Sequence, residues 1–242
     1  MCGFAGFVGE VENREQVLEN MIDTIIHRGP DSSGKFVDED AALGFRRLSI
    51  IDLSESGDQP LYNEDRSKVL VFNGEIYNYQ ELREELIQAG HTFVSNTDSE
   101  TLIHGYEQWG EELVYRLRGM YAFAIWDQKA KRLFSARDIF GIKPLYYAQM
   151  NGTLMFGSEI KSFLEHPKFD KVFNEDALGN YLSFQFVPTN ETFFKGVFCV
   201  QPGHYFVYEN GKMTIKRYFE PNFTGDTTKS FEEVVDDIEK VM

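Results

Sequence analysis

The residue whose position and type best suit it to chemistry is Cys2, which directly follows Met1. Removal of Met1 would leave Cys2 with both a thiol and a free α-amine. The thiol is intrinsically a strong nucleophile, and an α-amine with a pKa of about 8 is partly neutral at pH 7, so it can accept the thiol proton. One residue would then supply both nucleophile and general base, although a cysteine at this position can also be an ordinary side chain.

Other familiar catalytic and ligand-binding patterns do not occur in the sequence. It contains no G-x-x-x-x-G-K-[ST] phosphate loop, no C-x-x-C, no H-E-x-x-H and no G-x-S-x-G. The second cysteine, Cys199, lies in an apolar run and is interpreted as a buried strand residue. The histidines show no metal-ligand spacing, so we expect no metal site among them: His27, His91, His104, His166 and His204.

Six motifs follow one another along the chain, and their combination is specific although each alone is weak. They are Cys2-Gly3-Phe4-Ala5-Gly6, His27-Arg28-Gly29-Pro30-Asp31, Arg47-Leu48-Ser49-Ile50-Ile51-Asp52, Asn73-Gly74-Glu75-Ile76-Tyr77-Asn78, Arg137-Asp138-x-x-Gly141-x-Lys143-Pro144-Leu145-Tyr146-Tyr147 and Ser158-Glu159-Ile160-Lys161. Together they closely resemble the class II glutamine amidotransferase domain of glutamine-hydrolysing asparagine synthetases, over about residues 2–220. The resemblance implies an N-terminal-nucleophile hydrolase fold, a four-layer αββα sandwich with two antiparallel sheets. It also implies hydrolysis of the side-chain amide of L-glutamine to glutamate and ammonia.

The same resemblance implies roles for individual residues. Cys2 would attack the glutamine amide and form a γ-glutamyl thioester that water then clears. The side-chain NH2 of Asn73 and the backbone N–H of Gly74 would hold the oxyanion, although Asn-Gly is also typical of a turn after a strand at 69–72. Arg47 would bind the α-carboxylate of glutamine. Asp98 would bind its α-ammonium, although an aspartate at a helix start is also an ordinary N-cap.

The remaining glutamine-contacting residues that the resemblance implies act partly through backbone groups; they are Leu48, Ser49, Ile50, Ile51 and Glu75. The segments 27–31 and 137–138 are interpreted as structural. The resemblance implies no cofactor within this chain. ATP and Mg²⁺ would belong to a C-terminal synthetase domain, whose Ser-Gly-Gly-x-Asp-Ser loop does not occur in the sequence. That domain would use the ammonia to convert aspartate to asparagine.

Two other functions fit parts of the pattern. One is a module that senses glutamine or scaffolds a partner, with Cys2 unused. The other is an amidotransferase of the same family that serves another acceptor, such as a cell-surface sugar, or one that feeds sugar phosphate or purine synthesis. The intact set of Cys2, Arg47, Asn73, Gly74 and Asp98 favours an enzyme, and the combination of the motifs favours the asparagine synthetase type.

Composition limits the class of protein further. The chain has 242 residues, 42% of them hydrophobic, with 24 basic and 39 acidic residues and a net charge of −15. A chain of this length can bury a sufficient core without disulfides, and the acidic charge argues against nucleic-acid binding. No apolar run approaches the roughly 20 residues that cross a bilayer, and Glu10 interrupts the apolar N-terminus, so no signal peptide is expected. We expect a cytoplasmic protein with no membrane partner.

The elements that must position these residues belong to an α+β domain with antiparallel sheets. A glycine-rich buried strand is expected at 3–9, with hairpins turning at Asn151-Gly152 and Asn210-Gly211. Helices are expected at 17–26, 82–90, 97–109, 159–164 and 175–183, the third starting with a Thr97-x-x-Glu100 capping box. Residues 1–220 would form the glutaminase domain.

The end of the chain has a different pattern. Residues 221–229 are polar and indicate a linker, and Ser230-x-x-Glu233 predicts a second capping box before an amphipathic helix. We expect residues 230–242 to begin the C-terminal synthetase domain, with docking back onto the first domain as the alternative. The apolar face of this helix would otherwise fray or pack against another copy in a homodimer.

Overall fold

The computed structural model describes residues 2–48, 57–225 and 228–241. The strands in these ranges are β1 (Gly3–Val8), β2 (Ser32–Val37), β3 (Ala41–Arg47), β4 (Leu61–Tyr62), β5 (Lys68–Ile76), β6 (Gly119–Asp127), β7 (Arg132–Arg137), β8 (Tyr146–Met150), β9 (Thr153–Gly157), β10 (Val197–Cys199), β11 (His204–Glu209) and β12 (Lys212–Arg217). The α-helices are α1 (Arg14–Asp23), α2 (Tyr79–Gln88), α3 (Ser99–Trp109), α4 (Glu175–Phe184) and α5 (Phe231–Val241), and short 3-10 helices span Ile26–Arg28, Gly110–Tyr115 and Ile160–Glu165.

The strands form two six-stranded antiparallel sheets. The first has the order β10-β8-β9-β1-β3-β2 and the second β12-β11-β7-β6-β5-β4. One apolar core lies between the sheets, a second joins the first sheet to α1, and a third joins the second sheet to α2 and α3. The predicted α+β class and the four-layer αββα sandwich are therefore confirmed.

Both predicted hairpin turns are confirmed. Asn151 and Gly152 have φ of 49° and 76°, and Asn210 and Gly211 have φ of 52° and 73°. A type I′ turn needs positive φ at both central residues, which asparagine and glycine tolerate best. These turns connect β8 to β9 and β11 to β12.

The capping box predicted at the start of α3 is wrong. The N-cap is Asp98, and no side-chain hydrogen bond caps the helix. The Glu100 carboxylate instead accepts the backbone N–H groups of Val94 and Ser95 at 2.6 and 2.7 Å. The Glu100 side chain turns towards the preceding loop because the two N–H groups there bind its carboxylate in place of the N–H of the N-cap residue. Thr97 contacts the Ser95 hydroxyl at 2.8 Å.

Three other expectations differ from the structure. The first helix ends at Asp23 and is followed by a separate 3-10 turn, and the helix expected at 159–164 is a 3-10 helix at Ile160–Glu165. The strand expected at 69–72 continues to Ile76, so Asn73-Gly74 lies inside β5 and not in a turn.

The capping box at the start of α5 is confirmed. Ser230 N–H donates to Glu233 Oε2 at 2.7 Å, and Glu233 N–H donates to Ser230 Oγ at 3.2 Å. The apolar face of α5 remains exposed, with Phe231 79% and Ile238 54% accessible. None of the helices in the described ranges has the length and apolar character needed to cross a membrane.

Candidate active site

Cys2 lies immediately before β1 at one end of the first sheet. It is half-buried and packs against the core between the sheets, as does Phe4 two residues later. The backbone of Leu48 lies beside its sulfur: Leu48 N–H points at Sγ at 3.4 Å, and Sγ lies 3.6 Å from the Leu48 carbonyl oxygen. An N–H donor at this place suits a sulfur that gains negative charge as it reacts. Arg28 Nε donates to the Cys2 carbonyl at 3.0 Å and fixes the backbone there.

Asn73 and Glu75 reach the same interior from the facing sheet. Val71 packs in the core between the sheets and Phe72 packs under the helices. Because side chains alternate along a strand, Asn73 and Glu75 face the same side as Val71, towards β1. Asn73 is 2% exposed, and its Nδ2 has no hydrogen-bond partner in the part of the chain that the structure describes. A buried NH2 without an acceptor is costly and rare, so this one is a donor available to a ligand.

The backbone of β5 supplies a second donor at the same place. Ile76 N–H points away from β6 and donates to Asp98 Oδ2 at 2.8 Å. Alternate residues of an antiparallel strand direct their N–H groups to the same side, so Gly74 N–H points to this edge too. A Cβ on Gly74 would lie 2.2 Å from the Met120 carbonyl oxygen, so only glycine fits while β5 stays paired to β6.

Arg47 ends β3 and is 7% exposed. Phe45 packs between the sheets, so Arg47 faces the same interior. Its Nη1 forms an ion pair with Asp58 Oδ1 at 2.7 Å. A Cβ on Gly57 would lie 2.6 Å from Arg47 Nη2 and 3.6 Å from Thr97 Cγ2, so the guanidinium extends towards the start of α3. The sequence did not predict Asp58 as the partner of this arginine.

Asp98 joins the same end of the sandwich through its bond to β5. Burial, together with the charge of Glu75, raises the pKa of Asp98 to about 6. Although Asp98 occupies the N-cap position, its carboxylate does not cap α3. It faces Ile76 N–H and the Ser99 hydroxyl, the latter at 3.4 Å. Two neighbouring carboxylates form a region of negative potential that a cation would stabilise.

Two residues that the sequence analysis left without a catalytic-site role lie close to Cys2. Arg28 bonds the Cys2 carbonyl and pairs with Glu159 at 3.0 Å. Lys143 is 6% exposed; burial and the charge of Arg28 lower its pKa, while Cys2 and Glu75 act in the opposite direction. Both residues belong to motifs quoted above. That membership is the sequence feature that could have indicated their position near Cys2.

The interpretation of Asp138 as structural is confirmed by its contacts. The buried carboxylate accepts the backbone N–H groups of Tyr121, Phe140, Ile142 and Lys143 at 3.0–3.2 Å. It thereby fixes the loop that carries Lys143. Of the other predicted contact residues, Leu48 lies at the Cys2 sulfur, whereas Ser49, Ile50 and Ile51 lie outside the described residues.

Two antiparallel sheets between helices, with a cysteine at the start of the first strand, are the architecture of the N-terminal-nucleophile hydrolases. The chain belongs to the family described as glutamine amidotransferase domain, which it matches over residues 1–219.

Two longer proteins have similar sequences. The chain is 46% identical over 229 residues to asparagine synthetase [glutamine-hydrolyzing] 1 of Bacillus subtilis, covering 92% of this chain and 36% of the relative. It is 36% identical over 257 residues to amidase chyE of Penicillium rubens, covering 99% of this chain and 38% of the relative. It therefore spans less than two-fifths of the length of these two relatives.

A solved structure shares the fold. Glutamine phosphoribosylpyrophosphate amidotransferase from B. subtilis aligns with a TM-score of 0.67 at 21% identity, over 91% of this chain and 50% of that chain. At this identity the likeness concerns the fold alone.

Proposed function

We propose that this chain hydrolyses the side-chain amide of L-glutamine to glutamate and ammonia, with Cys2 as the nucleophile. The observation that carries the proposal is the buried, unpaired Nδ2 of Asn73, which lies on the same side of the sandwich as Cys2. A buried donor without a protein acceptor, which faces the same interior as a nucleophile, is suited to an oxyanion that exists only during the reaction. Membership of the glutamine amidotransferase domain family supports the same conclusion.

The reaction would proceed in two stages. Cys2 Sγ attacks the amide carbon, and the carbonyl oxygen becomes an oxyanion held by Asn73 Nδ2 and Gly74 N–H. The α-amine of Cys2, once Met1 is removed, takes the thiol proton and returns it to the leaving nitrogen as ammonia departs. Water then attacks the γ-glutamyl thioester, passes through a second oxyanion held by the same donors, and releases glutamate and the free thiol.

The two charged ends of the substrate would be held separately. Arg47 binds the α-carboxylate, and Asp98, with Glu75 beside it, binds the α-ammonium. The burial of Arg47 and the raised pKa of Asp98 support these roles, because both charges lie in a partly desolvated site. The family resemblance adds Leu48 and the segment 49–51 as further contacts.

The fate of the ammonia is proposed from the relatives. The name of the B. subtilis relative, asparagine synthetase [glutamine-hydrolyzing] 1, supports use of the ammonia to make asparagine. Transfer to aspartate in a C-terminal domain that binds ATP and Mg²⁺ is what the family resemblance implies. The exposed apolar face of α5 would then pack against that domain, with 221–229 as the linker. A cytoplasmic location and a homodimer remain predictions.

A matched pair of cysteine variants tests the proposal. Cys2→Ala should abolish release of labelled ammonia from amide-labelled glutamine while glutamine still binds. Cys199→Ser is the control, because that thiol contacts Arg137 and not Leu48; it should retain activity close to that of the unmodified chain. Turnover by Cys2→Ala at the unmodified rate would exclude the proposed mechanism.

A further inference from the structure

A second cluster of polar side chains lies on the outer side of the second sheet, where α3 packs. It consists of Glu64, His91, His104 and Glu107, whose ligand atoms all lie within 4.8 Å of one another. Glu64 comes from the connection between β4 and β5, His91 follows α2, and the other two lie one turn apart in α3. We propose that these four side chains bind a divalent transition-metal ion of the Zn²⁺ type.

Buried ligand atoms without partners are the first observation behind this proposal. His104 is 1% exposed, and neither of its ring nitrogens has a hydrogen-bond partner among the residues described. Glu107 Oε2 is also buried and has no hydrogen-bond partner in the described part of the chain. Buried polar atoms in folded proteins almost always have a partner. His104 Nδ1 and Glu107 Oε2, one turn apart in α3, indicate a ligand that both of them contact.

Three contacts among the ligand residues, two of them to different oxygens of Glu64, have lengths close to the distances between ligand atoms around a tetrahedral zinc ion. His104 Nδ1 lies 3.4 Å from Glu64 Oε2 and 3.5 Å from Glu107 Oε2, and His91 Nδ1 lies 3.5 Å from Glu64 Oε1. These separations are too long for good hydrogen bonds. Zinc bonds of about 2.0–2.1 Å in a tetrahedron place neighbouring ligand atoms about 3.3–3.4 Å apart. His91 Nδ1 and Glu107 Oε2 lie 3.9 Å apart, and all four ligand atoms lie within 4.8 Å of one another, so the four side chains would close by at most about 1.4 Å to reach tetrahedral distances.

The surroundings of the ligands also fit a metal site. His91 Nε2 lies 3.2 Å from the Gln108 amide oxygen, within hydrogen-bond reach, and His104 Nε2 faces Glu100 Oε1 at the longer distance of 3.5 Å. Metal-binding histidines usually donate the second ring N–H to such an acceptor, which directs the other nitrogen at the ion. Asn63 Nδ2 donates to Glu107 Oε1 at 2.7 Å, so Glu107 Oε2 is the oxygen turned to the cluster.

The charge and exposure of the cluster allow an ion to enter. The Glu64 side chain is 41% exposed, whereas that of His104 is 2% exposed, so the site opens to solvent on one side. Lys68 approaches Glu107 Oε1 at 3.8 Å, away from the ligand oxygen. A bound ion would join three separate segments of the chain.

A proton on His104 is the alternative occupant. Burial alone would lower the pKa of His104, but the carboxylates of Glu100, Glu107 and Glu64 raise it to about 9. A ring that is protonated and surrounded by carboxylates would be a structural ion cluster without metal. The experiment must therefore measure binding of the metal ion itself, because a change in stability alone does not distinguish an ion from a proton.

Co²⁺ is the probe, because its tetrahedral complexes absorb visible light and Zn²⁺ displaces it. We expect the full chain, stripped with chelator, to bind one equivalent of Co²⁺ with tetrahedral absorption that equimolar Zn²⁺ abolishes. Glu64→Gln and His91→Gln should weaken binding at least tenfold, a loss of the size seen when metal-site groups are removed. His204→Gln is the control, since this exposed histidine contacts the Pro202 carbonyl, and it should bind like the unmodified chain.

Two outcomes would contradict the proposed metal site. Absence of tetrahedral Co²⁺ absorption in a folded chain would leave the proton as the occupant of the cluster. Equal binding by the unmodified chain and by both Glu64→Gln and His91→Gln would place the ion elsewhere. Neither readout depends on glutamine hydrolysis, so this proposal and the proposed function fail independently.

Discussion

Replacing Asn73 by alanine should lower kcat while leaving the free energy of unfolding nearly unchanged. The side-chain Nδ2 is buried and has no acceptor among the described residues, so its removal breaks no hydrogen bond of the fold. The small cavity that remains costs about 1 kcal/mol, and relief of the unpaired donor contributes a similar amount in the opposite direction. We therefore expect the free energy of unfolding to change by less than about 1 kcal/mol.

The effect on the reaction should be far larger. If Nδ2 donates to the oxyanion, its loss removes a contact made in the transition state, for which the usual cost is about 2.7–4 kcal/mol, or 10²–10³ in kcat. The KM for glutamine should change little, because the donor is not needed by the ground state. Steady-state ammonia release gives kcat and KM, and urea unfolding gives the free energy.

Asn174→Ala is the matched control. Asn174 is also buried, but its Nδ2 donates to the Thr192 carbonyl at 3.0 Å. This variant should lose about 1–3 kcal/mol of stability and keep kcat. The reasoning would be refuted if Asn73→Ala kept kcat within a few-fold, or if it lost as much stability as Asn174→Ala.

Three further predictions concern the substrate and the base. Arg47→Lys keeps the charge but loses the planar fork, so the KM for glutamine should rise by about thirty- to a hundredfold, or ~2–3 kcal/mol; an unchanged KM would place the carboxylate elsewhere. Because the pKa of Asp98 is raised to about 6, its carboxylate becomes protonated as pH falls through 6. The KM should then rise about tenfold between pH 7 and 5, and Asp98→Asn should have a high KM without this slope. Activity should also track the fraction of chains that begin at Cys2, as measured by mass spectrometry, and full activity with Met1 retained would exclude the α-amine as base.

Local signals in the sequence predicted the local features of the fold well. The two Asn-Gly turns and the Ser230–Glu233 capping box involve residues that are adjacent or three apart, so no distant contact overrides them. The capping box at Thr97 failed because the Glu100 carboxylate is bound by the loop before the helix. A pattern of residue types alone does not show which of two nearby sets of backbone N–H groups will donate to a carboxylate.

The candidate site also contains some features that the sequence predicted and others that it did not. The motifs led to Cys2, Arg47 and Asn73, and the alternation of strand residues explains why they face one interior. The ion pair of Arg47 with Asp58 and the cluster around His104 did not emerge from the sequence. Their members come from separate segments that only the packing of sheets and helices brings together, so their spacing along the chain carries no signal.

The most direct test of the central claim is to trap the acyl intermediate. The chain beginning at Cys2 is mixed with glutamine, quenched in acid within a turnover, digested and analysed by mass spectrometry. We predict a γ-glutamyl adduct on the N-terminal peptide, attached to the Cys2 thiol, that disappears as glutamate forms, and no adduct on the peptide that contains Cys199. Hydrolysis of glutamine at full rate by the Cys2→Ala chain, which cannot form this adduct, would contradict the claim that the reaction proceeds through Cys2.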